Sequence, residues 1–177
     1  MIETLISSKT RIKLLIKFFL NSSNTSYLRN LEEEFGESTN GIRLELNKFE
    51  KAGFLNAFFE GNKKIFKANT EHPLFNDINR IIRKIVGVEY VVDYIVQRVG
   101  DLQKVYLVGD LANGISSDCI EVVLLGNSLN EAFLKEQVEK AEKKIGKKIT
   151  YNIYSATDFD IKDLAKDGVN PLLLWAK

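Results

Sequence analysis

The chain has 177 residues, room for one large domain or two small ones. Hydrophobic residues make up 45% and charged residues 28%, enough for a buried core under a solvated surface. A net charge of +1 excludes a global electrostatic pull toward nucleic acid or membrane, so any such contact must come from a local cluster. One cysteine, Cys119, excludes an internal disulfide and fits a reducing compartment. One histidine and one cysteine cannot build a zinc-type site.

The N-terminal stretch MIETLISSKTRIKLLIKFFL places basic residues inside its apolar run, unlike a signal peptide. No window approaches the roughly 20 apolar residues of a membrane span. The expected location is the cytoplasm, with no membrane partner.

A first helix is expected over Lys9–Leu20, capped by Ser8. Ile12, Leu15, Ile16 and Phe19 form its core stripe, with Lys9, Arg11, Lys13 and Lys17 largely off it. NSSNTS reads as a polar loop. A second helix is expected from near Ser26, with Leu28, Leu31 and Phe35 inward and Gly36 as its left-handed stop. Ser38 caps a third helix, whose Ile42, Leu46 and Phe49 face inward. Thr39, Asn40, Arg43 and Asn47 then face outward. The runs FLNAFF and KIFKA flank a tip at Glu60–Lys63, where Gly61-Asn62 tolerates the positive φ of a tight hairpin.

His72-Pro73 closes this part, because the residue before proline avoids helix. A helical pattern resumes from Phe75 to Val99, through Ile78, Ile81, Ile82, Ile85, Val88, Val91, Val92 and Ile95. Gly87 is a candidate break, and the segment a candidate dimer contact. An αβ pattern follows: strands KVYLVG and EVVLLG, a helix over Asn130–Ile145, a strand ITYNIY, a short helix in DFDIKDLAKDG and an apolar end PLLLWAK. The helix has Phe133, Leu134, Val138, Ala141 and Ile145 inward. Trp175 and Leu172–Leu174 read as core or interface. The expected organisation is residues 1–73, connecting helices over 74–99, and a second domain over 100–177.

The order SKTRIKLLIKFFLN, YLRNLEEEFG, STNGIRLELNKFEKAGFL, EGNKKIFKAN resembles the winged helix-turn-helix of bacterial regulators of the ArsR/MarR type, over about residues 7–72. The resemblance implies duplex DNA as partner, read by a homodimer. The third helix would enter the major groove, with Thr39, Asn40, Arg43 and Asn47 toward the bases. Lys63 and Lys64 on the wing would meet phosphates, which position but do not specify. Arg11 and Arg29 could add phosphate contacts. The plainer alternative is that Arg43 and Lys48 pair with Glu45 or nearby acids, and that the lysines only protect a sheet edge. The Glu32-Glu33-Glu34 run reads as the solvated side of the second helix.

The segment GDLANGISSDCIEVVLLG, with YNIYSATDF further on, resembles a small nucleotidyltransferase-like domain over about residues 88–174. That family ends its first strand on glycine-serine, and two carboxylates one residue apart begin the next strand and hold magnesium. Here Gly109 matches, but Asp110 stands at the serine, where it would repel a triphosphate. Glu121 falls at the second carboxylate and Cys119 at the first. Taking Asp118 instead leaves the pair three apart, on opposite faces of a strand. Asn152 stands where a third carboxylate is common. Magnesium prefers hard charged oxygens, and a thiol with an amide is a poor set.

The plainer readings make Asp118, Gly109 and Gly114 turn residues and Cys119 a small buried hydrophobe. The expectation is an α+β protein: a winged helix-turn-helix, then a mixed-sheet nucleotidyltransferase-like α/β domain without catalytic residues, metal or cofactor. Its role would be dimerisation, protein contact or sensing. Two alternatives stay open: an active magnesium-dependent nucleotidyltransferase using Glu121, and an antitoxin-like module for a protein partner.

Overall fold

The computed structural model describes residues 4, 6–96, 99–155, 157, 159–165 and 170–177. Its chain divides into two compact units, Met1–Ile85 with Gly114–Ser116, and Val86–Asn113 with Ser117–Lys177. Each carries its own sheet beside helices, an α+β arrangement.

In the first unit, α1 spans Lys9–Leu15, and the Ser8 side chain accepts from the Arg11 amide. The helix expected to run evenly to Leu20 changes pitch, and Ile16–Leu20 forms a π-helical turn. All five of its side chains are buried. Five residues complete a turn of either helix type, so burial of all five means that this turn is enclosed on every side. Side-chain amides satisfy its carbonyls: Asn24 Nδ2 donates to the Lys17 oxygen at 3.2 Å, and Asn79 Nδ2 to the Phe19 oxygen at 2.6 Å.

The segment read as a loop is partly a strand. Thr25–Tyr27 forms β1, which pairs antiparallel with the wing, and α2 starts only at Leu28. Three residues of alternating burial are too few for a periodic signal, and their partner strand lies far along the sequence. The helix α2 (Leu28–Phe35) ends on Gly36 at φ 61°, as expected. Ser38 caps α3 (Thr39–Lys51), accepting from the Gly41 amide at 3.3 Å. β2 (Leu55–Glu60) and β3 (Lys63–Ala68) form the hairpin, and the sheet order is β1-β3-β2.

An aromatic cluster fills the core. The Phe19 ring lies 6.2 Å from Phe54 and 5.7 Å from Phe75, and Phe54 lies 4.2 Å from His72. Phe75 opens α4 (Phe75–Val86), whose Asn79 also reaches the π-turn, so this helix packs with the first unit.

In the second unit, α5 (Val88–Ile95) packs against α7 (Glu131–Ile145). The sheet contains β4 (Asp101–Val108), β5 (Cys119–Asn127), β6 (Lys148–Tyr154) and β7 (Leu172–Ala176), in the order β6-β5-β4-β7. β5 and β6 are parallel, joined by α7, and the other pairs are antiparallel. A short turn of helix, α6 (Gly109–Ala112), follows β4, and α8 spans Ile161–Ala165. Part of the segment DFDIKDLAKDG (residues 158 and 166–168) lies outside the described residues. The apolar end PLLLWAK holds an edge strand, β7, with Leu174 buried and Leu173 exposed. Among the described residues no helix is long and apolar enough to cross a membrane.

Replacing Asn79 by Ala leaves the π-turn carbonyls without their donor. The expected cost is about 1–3 kcal/mol of stability, measured by urea unfolding of the full chain.

Candidate nucleic-acid interface

The position of α3 is set by one carboxylate. Glu45 points away from the exposed face of the helix and is buried. Arg11 Nε donates to its Oε2 at 2.8 Å and Arg11 Nη2 to its Oε1 at 3.2 Å. Lys48 Nζ adds a third bond at 2.8 Å. The Arg11 guanidinium, foremost by its hydrogen bond, holds the Glu45 carboxyl below its ordinary range against the opposing effect of burial, with Lys48 helping. The same partnership raises Arg11. Charge-assisted, forked bonds of this kind are the strong class.

Two further pairs tie α1 to α2. Lys13 Nζ donates to Glu37 Oε1 at 2.7 Å and to the Phe35 carbonyl at 2.8 Å. Burial pushes the Glu37 carboxyl up, but hydrogen bonds from Lys13 and Thr10 outweigh it, and the net movement is downward. Lys17, buried in the π-turn, reaches Glu34 at 2.7 Å. Arg11 is therefore spent on fastening helices rather than facing a phosphate. The third member of the Glu32-Glu33-Glu34 run is likewise a partner of a buried cation, not only solvated surface.

With Ile42, Leu46 and Phe49 buried on one side and Glu45 clasped on another, the remaining face of α3 is open. Asn40, Arg43 and Asn47 are exposed there, and Thr39 is half-buried at the first turn. A groove of 630 Å³ runs between this face, the start of α2 and the wing. Thr39, Arg43, Asn47, Lys63 and Lys64 all line it; Asn40 stands outside it on the open face. Its apolar floor includes Tyr27, Leu28, Leu46 and Phe66. Sequence reasoning missed Tyr27 because it was assigned to the second helix, whereas it ends β1.

The two wing lysines differ. Lys63 Nζ sits 4.5 Å above the Tyr27 ring and donates to its hydroxyl at 3.4 Å. A long, exposed contact of this sort leaves the charge available. Lys64 donates to Glu50 at 2.6 Å and is half-buried, so its charge already has a carboxylate partner. Arg29 is exposed, with Glu33 one turn away at 3.8 Å. Arg43 makes no ion pair among the described residues, so the expected alternative of a pairing with Glu45 does not arise; Arg11 and Lys48 occupy that carboxylate.

In the second unit β5 begins at Cys119, which leaves Asp118 before the strand and exposed. Cys119, Glu121, Thr150 and Asn152 lie on one face of the β5–β6 pair. Cys119 Sγ is 3.8 Å from Thr150 Oγ1. Gly109 takes φ 68°, and a side chain there would fall on the Glu121 carboxyl. Asp110 is exposed on α6. Among the described residues no three His, Cys, Asp or Glu side chains gather. One carboxylate, a thiol and an amide do not suit magnesium. Elsewhere in this unit, burial lowers the Lys147 ammonium, partly offset by Asp118.

No protein-family model matches this sequence, and no curated protein matches it. Among solved structures, it is similar to reduced HlyU from Vibrio cholerae N16961, at 13% identity and a TM-score of 0.38, over 49% of this chain and 83% of that one. It is also similar to AF1382 from Archaeoglobus fulgidus, at 17% identity and a TM-score of 0.38, over 52% of this chain and 98% of that one. Neither likeness says what this chain binds.

Glu37 and Glu45 titrate lower in the folded chain than in the unfolded one. Their stabilisation is complete above the unfolded carboxylate value of about 4.3 and is lost as pH falls through the lower folded values. The urea midpoint should therefore hold steady down to about pH 5 and then drop. Glu45→Gln should lower the midpoint at neutral pH and flatten the acid drop. An unchanged acid drop would remove Glu45 from this role.

Proposed function

We propose that the first unit is the DNA-reading head of a transcriptional regulator that acts as a homodimer. The observation that carries this reading is the groove: one face of α3, backed by a clasped Glu45, lies beside a wing lysine with its charge available. A helix face of this width fits a major groove. Asn40 and Asn47 offer paired donors and acceptors to adenine edges, and Arg43 offers a fork to guanine. Lys63 supplies a phosphate contact beside the groove, with Lys64 and Arg29 contributing less because Glu50 and Glu33 neighbour them. A nearly neutral chain offers few such contacts per head. Two heads on adjacent half-sites supply the missing affinity.

The test is selection of bound duplexes from a random pool, followed by binding of the enriched duplex at several salt concentrations. Arg43→Ala should cost about 1–3 kcal/mol and relax preference at one base pair. Lys63→Ala should weaken all duplexes alike and lower the salt slope by about one. Enrichment of no sequence, or unchanged binding by both variants, would overturn the reading.

For the second unit the reading is a nucleotidyltransferase-like fold that transfers nothing and serves dimerisation, sensing or contact with a protein partner. It is supported by the single carboxylate on the Cys119–Glu121–Asn152 face and by the exposed Asp110. Magnesium with each nucleoside triphosphate should give no turnover above background. Turnover that disappears in Glu121→Gln would make the chain an enzyme.

A further inference from the structure

Leu44 lies four residues after Asn40 and three before Asn47, so the three share one stripe of α3. Its side chain is 53% exposed, whereas Ile42, Leu46 and Phe49 of the same helix are buried. Leu44 thus takes no part in the core of its unit. A single exposed leucine is ordinary on a protein surface, so its neighbours must decide its meaning. Those neighbours are Asn40, Arg43, Asn47 and Lys48, all exposed. Asn40, Arg43 and Asn47 suit base edges and phosphates, while the Lys48 ammonium is held by Glu45. The apolar group stands in the middle of them, not at their border.

A major groove presents donors and acceptors on every base pair, and the apolar group that projects into it is the 5-methyl of thymine. A leucine pressed against the cytosine amino group, or against a purine N7, would strip water from a polar atom and offer no bond in return. Against a thymine methyl it buries apolar surface on both sides. We infer that Leu44 reads a thymine methyl, at a position flanked by the bases that Asn40 and Asn47 contact. This rests on the DNA-reading assignment of α3. It adds a base identity that the polar residues of the helix do not supply.

The experiment uses the full chain and the duplex enriched from a random pool. Each thymine is replaced in turn by deoxyuridine, which removes only the methyl group, and binding is followed by fluorescence anisotropy. For the wild type, one position per half-site should weaken binding about fourfold, the worth of one buried methyl. Leu44→Ala should bind with the same salt slope and show no difference between thymine and deoxyuridine there. Its exposed position means that folding is unaffected, which circular dichroism checks. Binding without any uracil-sensitive position, or sensitivity that persists in Leu44→Ala, would overturn the inference while leaving the DNA reading intact. No enriched duplex at all would remove both.

Discussion

The Glu45 carboxylate accepts two hydrogen bonds from the Arg11 guanidinium and one from the Lys48 ammonium. The two bonds from Arg11, which lies on α1, fix how α3 is rotated about its own axis. Apolar packing of Ile42, Leu46 and Phe49 would tolerate some rotation, because hydrophobic contact is not directional. A forked ion pair is directional and does not tolerate it. With Glu45 held toward α1, the stripe from Asn40 to Lys51 is the face that remains open. Removing Arg11 would leave the buried Glu45 carboxylate with Lys48 as its remaining cation, a loss that costs more than the pair itself contributes.

The same logic extends through the first unit. Lys13 with Glu37 and Lys17 with Glu34 fasten α2 to the helix before it. Asn24 and Asn79 hold the carbonyls of the π-turn. The unit spends much of its polar chemistry on fastening. The cations on its open side are then few: Arg43 without an ion pair among the described residues, Lys63 resting on Tyr27, and Arg29 exposed beside Glu33. A near-neutral composition and a local cationic face are therefore compatible. In the second unit the chemistry is sparser, since β5 and β6 add no second carboxylate beside Glu121.

Much of the first unit was legible because its signals are local. Ser8, Ser38 and Gly36 mark helix ends by residue type, and each does so here. Gly61-Asn62 marks the hairpin in the same way. What the sequence hid was non-local. β1 exists because Tyr27 meets Ile65 across the sheet, a pairing that a three-residue polar segment does not announce. Arg11 looked like a free cation on a helix surface, and only the fold brings Glu45 to it from 34 positions away. Lys17 sits where a helical period turns outward, and the enclosed π-turn buries it nonetheless. The outward placement of Asn40, Arg43 and Asn47 was legible from helical period alone, whereas the exposed Leu44 among them carries no polarity to mark it.

The most direct measurement is a chemical-shift titration of the isotope-labelled full chain with its selected duplex. Perturbations should concentrate on Thr39, Asn40, Arg43, Leu44 and Asn47 of α3 and on Lys63 at the hairpin, and should weaken as salt is raised. Perturbations confined to the second unit, or none at all on α3, would contradict the assignment of this face to DNA.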